Sequence, residues 1–266
     1  MTECQRWTMG RESRRPVGET IRKAEYEVVP IEDWSTARGF VAAHHYARTA
    51  SPTSHSFGLH RHSELVGVAL FGPPASMNAH RAVWPTLEIK QAVTLGRLVL
   101  LDEVPGNGES WFISRCLEIL ASRGIVGVES CADPQPRVRA DGSRVFRGHL
   151  GIIYQATNGC FKGKTNPATL RLLPDGTVLN NRAQGKLARG ERGGELAIEE
   201  LVRWGARRPT DGEDVLAWLR LWREKLTRSM RHEGCLRYLW CLDQSRRSEI
   251  LGYGPRRPYP KGAAPN

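Results

Sequence analysis

A glycine-bearing turn, Glu103-Val104-Pro105-Gly106-Asn107-Gly108, separates an apolar run from a helical run that opens on Glu109-Ser110. Glycine lets the backbone reverse sharply and come close to a ligand. The helix that follows offers unpaired N–H groups and the positive end of its dipole. Together these suit a pyrophosphate. Ser110 adds a hydroxyl donor, and Arg97 on the preceding strand can pair with a phosphate. The same turn can also serve only to reverse the chain. Four further residues have types that can do chemistry. His45 can act as a base near neutral pH, and Tyr46 can stack on a planar ring. Otherwise they are a helix-terminal His and a core Tyr. Asp133 can accept from an amine, or it caps the turn at Pro134. Tyr154 is a site hydroxyl, or a core aromatic whose hydroxyl is satisfied.

The elements that must hold these residues are legible as periodic runs. Tyr26–Pro30 reads as a short strand. A helix follows, capped at Asp33 or Ser35, with Ala37, Phe40, Val41 and Ala42 as its buried stripe, ending near His44-His45-Tyr46. Residues 56–60 and 65–71 read as a hairpin. Residues 93–101 are the clearest strand. Glu109 to Ala121 is helical, with Phe112, Cys116 and Leu120 on one line. Residues 124–130 are a further strand, so the three form a βαβ unit with parallel strands. That places Asp133 beyond the carboxyl end of a strand, where ligands of such sheets lie. A helix is expected from His149 to about Thr157, a hairpin at 170–179 around Pro174-Asp175-Gly176, and helices near 196–204 and 214–226. The last of these should bury Leu216, Leu219, Trp222 and Leu226. Tyr238–Leu242 is a final strand.

Hydrophobic residues make up 40% of the 266, which supports a packed core and argues against global disorder. The formal charge of +11 favours a polyanionic partner. Residues 134–192 carry eleven Lys/Arg against three acids, so +8 of the surplus sits in one segment. No apolar run approaches the roughly 18 residues of a membrane span. The N-terminus has no secretory character. The six cysteines form no Cys-x-x-Cys pair, which fits reduced thiols in a cytoplasmic protein better than a disulfide framework or zinc site. His60-x-His62 shares a strand face but has no third ligand nearby, and is read as solvent-facing.

The turn resembles that of the acyl-CoA N-acyltransferases of the GNAT superfamily, which carry Gln/Arg-x-x-Gly-x-Gly/Ala between a strand and a helix. Here it is Glu103-x-x-Gly106-x-Gly108, with Glu at the first place. Ile152 to Phe161 resembles the helix after the superfamily's second strand, where a Tyr protonates the departing thiolate. Longer strings narrow the resemblance: His44-His45-Tyr46, Gly96-Arg97-Leu98-Val99-Leu100, Asn107-Gly108-Glu109-Ser110, Ser130-Cys131-Ala132-Asp133-Pro134 and Gly148-His149-Leu150-Gly151-Ile152-Ile153-Tyr154-Gln155-Ala156. Over roughly 26–261 these resemble the Mom family of phage DNA-modification proteins, a divergent GNAT branch.

The resemblance implies an α/β, mixed-sheet GNAT-like fold with a central βαβ unit and C-terminal additions. Residues 1–25 read as a flexible polar tail, and one catalytic domain is expected at 26–261, with basic insertions at 134–147 and 180–195. The resemblance also implies acetyl-CoA as cofactor and double-stranded DNA as partner, in the host cytoplasm. The activity implied is conversion of adenine N6 to a methylcarbamoylated (acetamido-type) base that protects phage DNA from restriction. His45, Tyr46, Asp133 and Tyr154 would be catalytic. Arg97, Leu98, Val99, Gly106, Asn107, Gly108 and Ser110 would bind the cofactor. An iron requirement has been suggested for the family; this sequence offers no support for it. The departure is Gln135–Arg147, inserted where the family pattern runs almost directly from Ala-Asp-Pro into Gly-His. Two other readings stand beside this one: a conventional N-acetyltransferase acting on an amine of a hypermodified base or small molecule, and a non-catalytic DNA-binding protein.

Overall fold

Polar residues open the chain, yet they are ordered. In the computed structural model, which describes residues 3–9, 11–16, 18–252 and 257–261, β1 (Glu3–Thr8) and β2 (Arg11–Pro16) form an antiparallel hairpin. β3 (Tyr26–Pro30) leads into α1 (Trp34–His44). The Asp33 carboxylate caps α1, accepting from the N–H groups of Ser35 at 3.0 Å and Thr36 at 3.1 Å. Ala37 and Val41 are fully buried on its inner face, whereas Ala42 is exposed.

The hairpin of β4 (His55–Arg61) and β5 (Glu64–Gly72) follows, then α2 (Met77–Val83). The βαβ unit is β6 (Ala92–Leu100), α3 (Gly108–Ser122) and β7 (Gly127–Ala132). Phe112, Ile113, Cys116 and Leu120 of α3 are all buried, as the helical spacing predicts. Next come β8 (Arg137–Val138), β9 (Arg144–Phe146), α4 (Ile152–Ala156), β10 (Cys160–Lys164) and β11 (Ala168–Leu172). The chain ends through α5 (Asn181–Ala188), α6 (Glu195–Arg203), α7 (Val215–Leu226), β12 (Arg228–His232), β13 (Leu236–Cys241) and α8 (Arg247–Leu251).

These elements fall into two compact units. The first holds residues 1–134, 149–165 and 235–266, and its centre is a seven-stranded sheet in the order β10, β13, β7, β6, β5, β4, β3. The second holds 135–148 and 166–234. It contains the β8–β9 and β11–β12 hairpins and helices α5 to α7 around Leu173, Leu179, Leu201, Trp218 and Leu219.

The structure differs from the sequence reading at several elements. The segment read as a tail carries the β1–β2 hairpin. α4 begins at Ile152 rather than His149, because Gly151 sits at φ 71°, outside the helical region. The hairpin around Pro174-Asp175-Gly176 forms as expected, with Leu173 N–H to Thr177 O and Leu179 N–H to Arg171 O both at 2.9 Å and an antiparallel bridge between Leu172 and Val178; the sequence did not indicate that β11 also pairs with β12. The Gly/Arg-rich stretch at 180–195 contains α5, because the Asn180 side chain caps it through Arg182 N–H and Ala183 N–H. In α7 the buried pair is Trp218 and Leu219; Leu216 is exposed. Trp218 is drawn inward by a bond from its Nε1–H to Arg207 O at 3.0 Å. No helix among the described residues is long and apolar enough to cross a membrane.

Candidate active site

β6 and β7 are the parallel pair of the central sheet. They are paired only over Ala92–Leu95 and Gly127–Ser130. Beyond that, β6 stays with β5 and β7 stays with β13. The strands therefore part after Leu95 and Ser130. The ladder between them stops there, and such a parting of strands is a place where an extended ligand can add strand-like bonds.

Tyr154 stands at this fork. Its ring is buried and meets Tyr238 at 5.5 Å and Trp240 at 5.5 Å, both edge-on. It is hydrogen-bonded to Ser130, whose hydroxyl donates to Leu95 O at 3.1 Å. Burial pushes the phenol well above its ordinary value, against that hydrogen bond. Gly151 makes the close packing possible: a Cβ there would come within 2.7 Å of the Tyr238 ring and 2.8 Å of Tyr154. The ring of His149 lies 6.2 Å from Tyr154, and the backbone N–H of His149 donates to the backbone carbonyl of Asp133 at 2.7 Å.

His45 closes α1, its N–H bonded to Val41 O at 2.9 Å. It is 5% exposed, and its Nδ1 accepts from Ala47 N–H at 3.0 Å. The neutral ring then carries its proton on Nε2, so it presents a donor. Burial, and then the positive charges of Arg97 and His149, hold its pKa well below the usual imidazole range. Tyr46 stacks on it, ring centres 4.3 Å apart. Arg97 ties this segment to β6, donating from Nε to Thr49 O at 2.7 Å and from Nη1 to Gly96 O at 2.6 Å. Burial lowers its pKa; the phenols of Tyr46 and Tyr154 oppose that. Gly96 admits the segment, since a Cβ there would meet Ser51 Oγ at 2.3 Å.

The glycine turn lies at the start of α3, and its polar groups are engaged by the chain itself. Gly106 N–H donates to Glu19 at 3.2 Å, and Asn107 Oδ1 accepts from Ile21 N–H at 2.7 Å. Gly108 N–H donates to Pro105 O at 2.8 Å, and Ser110 Oγ donates to Asn107 O at 3.0 Å. Beneath the turn, the buried Arg6 guanidinium pairs with Glu109 and donates to Leu101 O, Val104 O and Pro105 O.

His45, Tyr46, Arg97 and Tyr154 are thus electrostatic neighbours, and Asp133 is joined to them through His149. Leu98 is half-buried, and Val99 is packed into the core beneath α1. Sequence reasoning passed over Ser130, Tyr238 and Trp240. Their signal was alternation along β7 and β13, which turns these side chains toward Tyr154.

The family model described as "Mom protein family" matches residues 25–261. The chain belongs to this family. It is 28% identical over 173 residues to the methylcarbamoylase Mom of Escherichia phage Mu, covering 64% of this chain. The match spans 66% of that relative's length. Among solved structures, a tandem GNAT protein from the clavulanic acid biosynthesis pathway is 11% identical, with 56% of this chain and 48% of that chain covered. Its TM-score of 0.36 is too low to establish a shared fold. Every candidate site residue lies inside the family match; Arg6 and Glu19 lie before it.

Proposed function

We propose that this chain is a phage anti-restriction enzyme that uses an acyl-CoA, acetyl-CoA by the family resemblance, to modify the exocyclic amine of adenine in double-stranded DNA. The observation that carries the reading is Tyr154, bonded to Ser130 at the point where β6 and β7 part. A thioester laid along that fork brings its sulfur toward a phenol. Burial keeps the phenol protonated at neutral pH, so it can donate to a departing thiolate. Its raised pKa favours hydrogen bonding over full proton transfer.

Adenine N6 is a weak nucleophile, because its lone pair is delocalised into the ring. Asp133 accepts one N6 proton as the nitrogen attacks the thioester carbon. The C–S bond then breaks, and the thiolate leaves under the Tyr154 hydroxyl. The Nε2–H of His45 is a donor for the developing oxyanion, and Arg97 contributes positive charge. The backbone of Leu98 and Val99 lines the fork. Gly106, Asn107, Gly108 and Ser110 serve the cofactor's phosphates once Glu19 yields Gly106 N–H. In this tautomer His45 has no free lone pair, and burial pushes the Cys131 thiol up to about 12.

The test is mass spectrometry of nucleosides from DNA co-expressed with the protein. A new adenine nucleoside is expected, and finding only unmodified adenine would overturn the reading. A methylcarbamoyl group carries one NH more than an acetyl group. The product mass therefore decides between a plain amide and the class named for the phage Mu relative.

A further inference from the structure

The segment from Gln135 to Arg147, which the sequence reading takes as an insertion in the family pattern, contains a built hairpin. β8 and β9 pair Arg137 with Phe146 and Val138 with Arg144. The turn between them is closed by Arg139 N–H to Ser143 O at 2.8 Å and Gly142 N–H to Arg139 O at 3.1 Å, with Gly142 at φ 83°. This is a short hairpin loop that requires a residue of positive φ.

The hairpin is pinned within its own unit. Phe146 is fully buried under the Arg137 guanidinium, 4.4 Å from its ring centre. Ala140 N–H donates to Pro174 O at 2.8 Å, and Arg228 donates to Val138 O. Gly176 comes so close that a Cβ there would lie 2.7 Å from Val138 O. The eleven residues 137–147 hold four arginines and one acid, Asp141. That acid is turned back onto the loop, accepting from Ser143 N–H at 2.8 Å. Arg139 and Arg144 are both exposed. Arg139 spends one donor on Ser143 Oγ at 3.0 Å, and the Arg144 side chain is exposed to solvent.

We propose that the β8–β9 hairpin is a contact surface for duplex DNA, with Arg139 and Arg144 engaging backbone phosphates. This rests on the reading that the enzyme acts on DNA. A two-stranded ribbon is one of the two shapes the major groove admits, and Arg is the side chain best suited to phosphate. The pinning removes most of the ordering cost of binding. The chain leaves the first unit after Pro134 and returns to it at His149, whose backbone N–H bonds Asp133 O at 2.7 Å.

The experiment is fluorescence anisotropy of the full chain on a labelled duplex across a salt series, comparing wild type with Arg139→Gln/Arg144→Gln. Removing two arginine–phosphate pairings should reduce the slope of log K against log salt by about two, and weaken binding roughly tenfold at moderate salt. Acetyl-CoA binding and the unfolding midpoint should not move. If wild type binds duplex and the double variant matches it in affinity and slope, the hairpin proposal fails while the DNA reading stands. If wild type does not bind duplex at all, both fail. A Lys/Lys variant that restores the slope would support phosphate contact, and one that does not would count against it.

Discussion

The backbone N–H of Gly106 donates to the carboxylate of Glu19 at 3.2 Å. Thus the turn assigned to a cofactor's pyrophosphate holds an anion already, supplied by the chain. Arg15 grips the same carboxylate at 2.9 and 2.5 Å, so Glu19 stands between a cation and a helix N-terminus, much as a phosphate would. Glu19→Gln keeps the shape and removes the charge. Acyl-CoA affinity by calorimetry should rise roughly three- to tenfold, because a charge-assisted bond competing for the same donor is worth about 1 kcal/mol more than its neutral counterpart. Unchanged or weaker affinity would mean that the turn does not receive phosphate.

Tyr154→Phe should separate chemistry from binding. The ring packing against Tyr238 and Trp240 is retained, while the hydroxyl at the fork is removed. We expect kcat to fall by about 10²-fold, the scale of a missing proton donor, with KM little changed. Burial keeps the phenol protonated, so the wild-type rate should show no alkaline limb from Tyr154 within the stable range. A variant that keeps full kcat would remove Tyr154 from the reaction.

The βαβ unit was legible because its signals are local. Apolar runs at β6 and β7 and the Phe112–Cys116–Leu120 line on α3 each depend on neighbours a few residues away. The glycine turn and Tyr154 were legible as types at a spacing. The N-terminal hairpin was not. Its strands are polar, and what orders the segment is Arg6 reaching Glu109, 103 residues along the chain. The second unit was hidden for a related reason: it is assembled from two separated stretches, and β11 finds its partner only at β12. The role of His45 shifted as well. Its residue type indicates a base, but the Ala47 N–H on Nδ1 makes the free ring atom a donor.

Arg6 and Glu109 are 1% and 7% exposed, and their two groups are bidentate. Arg6→Met leaves a buried carboxylate and the Val104 carbonyl without their donor, while Leu101 O and Pro105 O keep the backbone donors Val104 N–H and Gly108 N–H. It should cost about 3–5 kcal/mol in urea unfolding. Arg6→Met combined with Glu109→Gln removes the stranded charge and should recover at least 1–2 kcal/mol of that, about the cost of one buried unsatisfied charged group. If the single and double variants are equally destabilised, the loss comes from the hairpin's packing and not from the ion pair.

His45 sets a pH dependence whose sign can be worked out. Its folded pKa lies well below the usual 6.5, because burial and the charges of Arg97 and His149 oppose protonation. Above the unfolded value both states are neutral, and the residue contributes nothing to the slope. As pH falls below about 6.5 the unfolded chain takes up a proton that the folded chain refuses, so stability drops by about 1.4 kcal/mol per pH unit until the folded value is reached. His45→Gln cannot charge. Urea unfolding at pH 7.5 and 5.5 should show wild type losing more stability across that interval than the variant, by about 1 kcal/mol. Equal losses in the two proteins would mean that His45 is protonated in the folded state at pH 5.5.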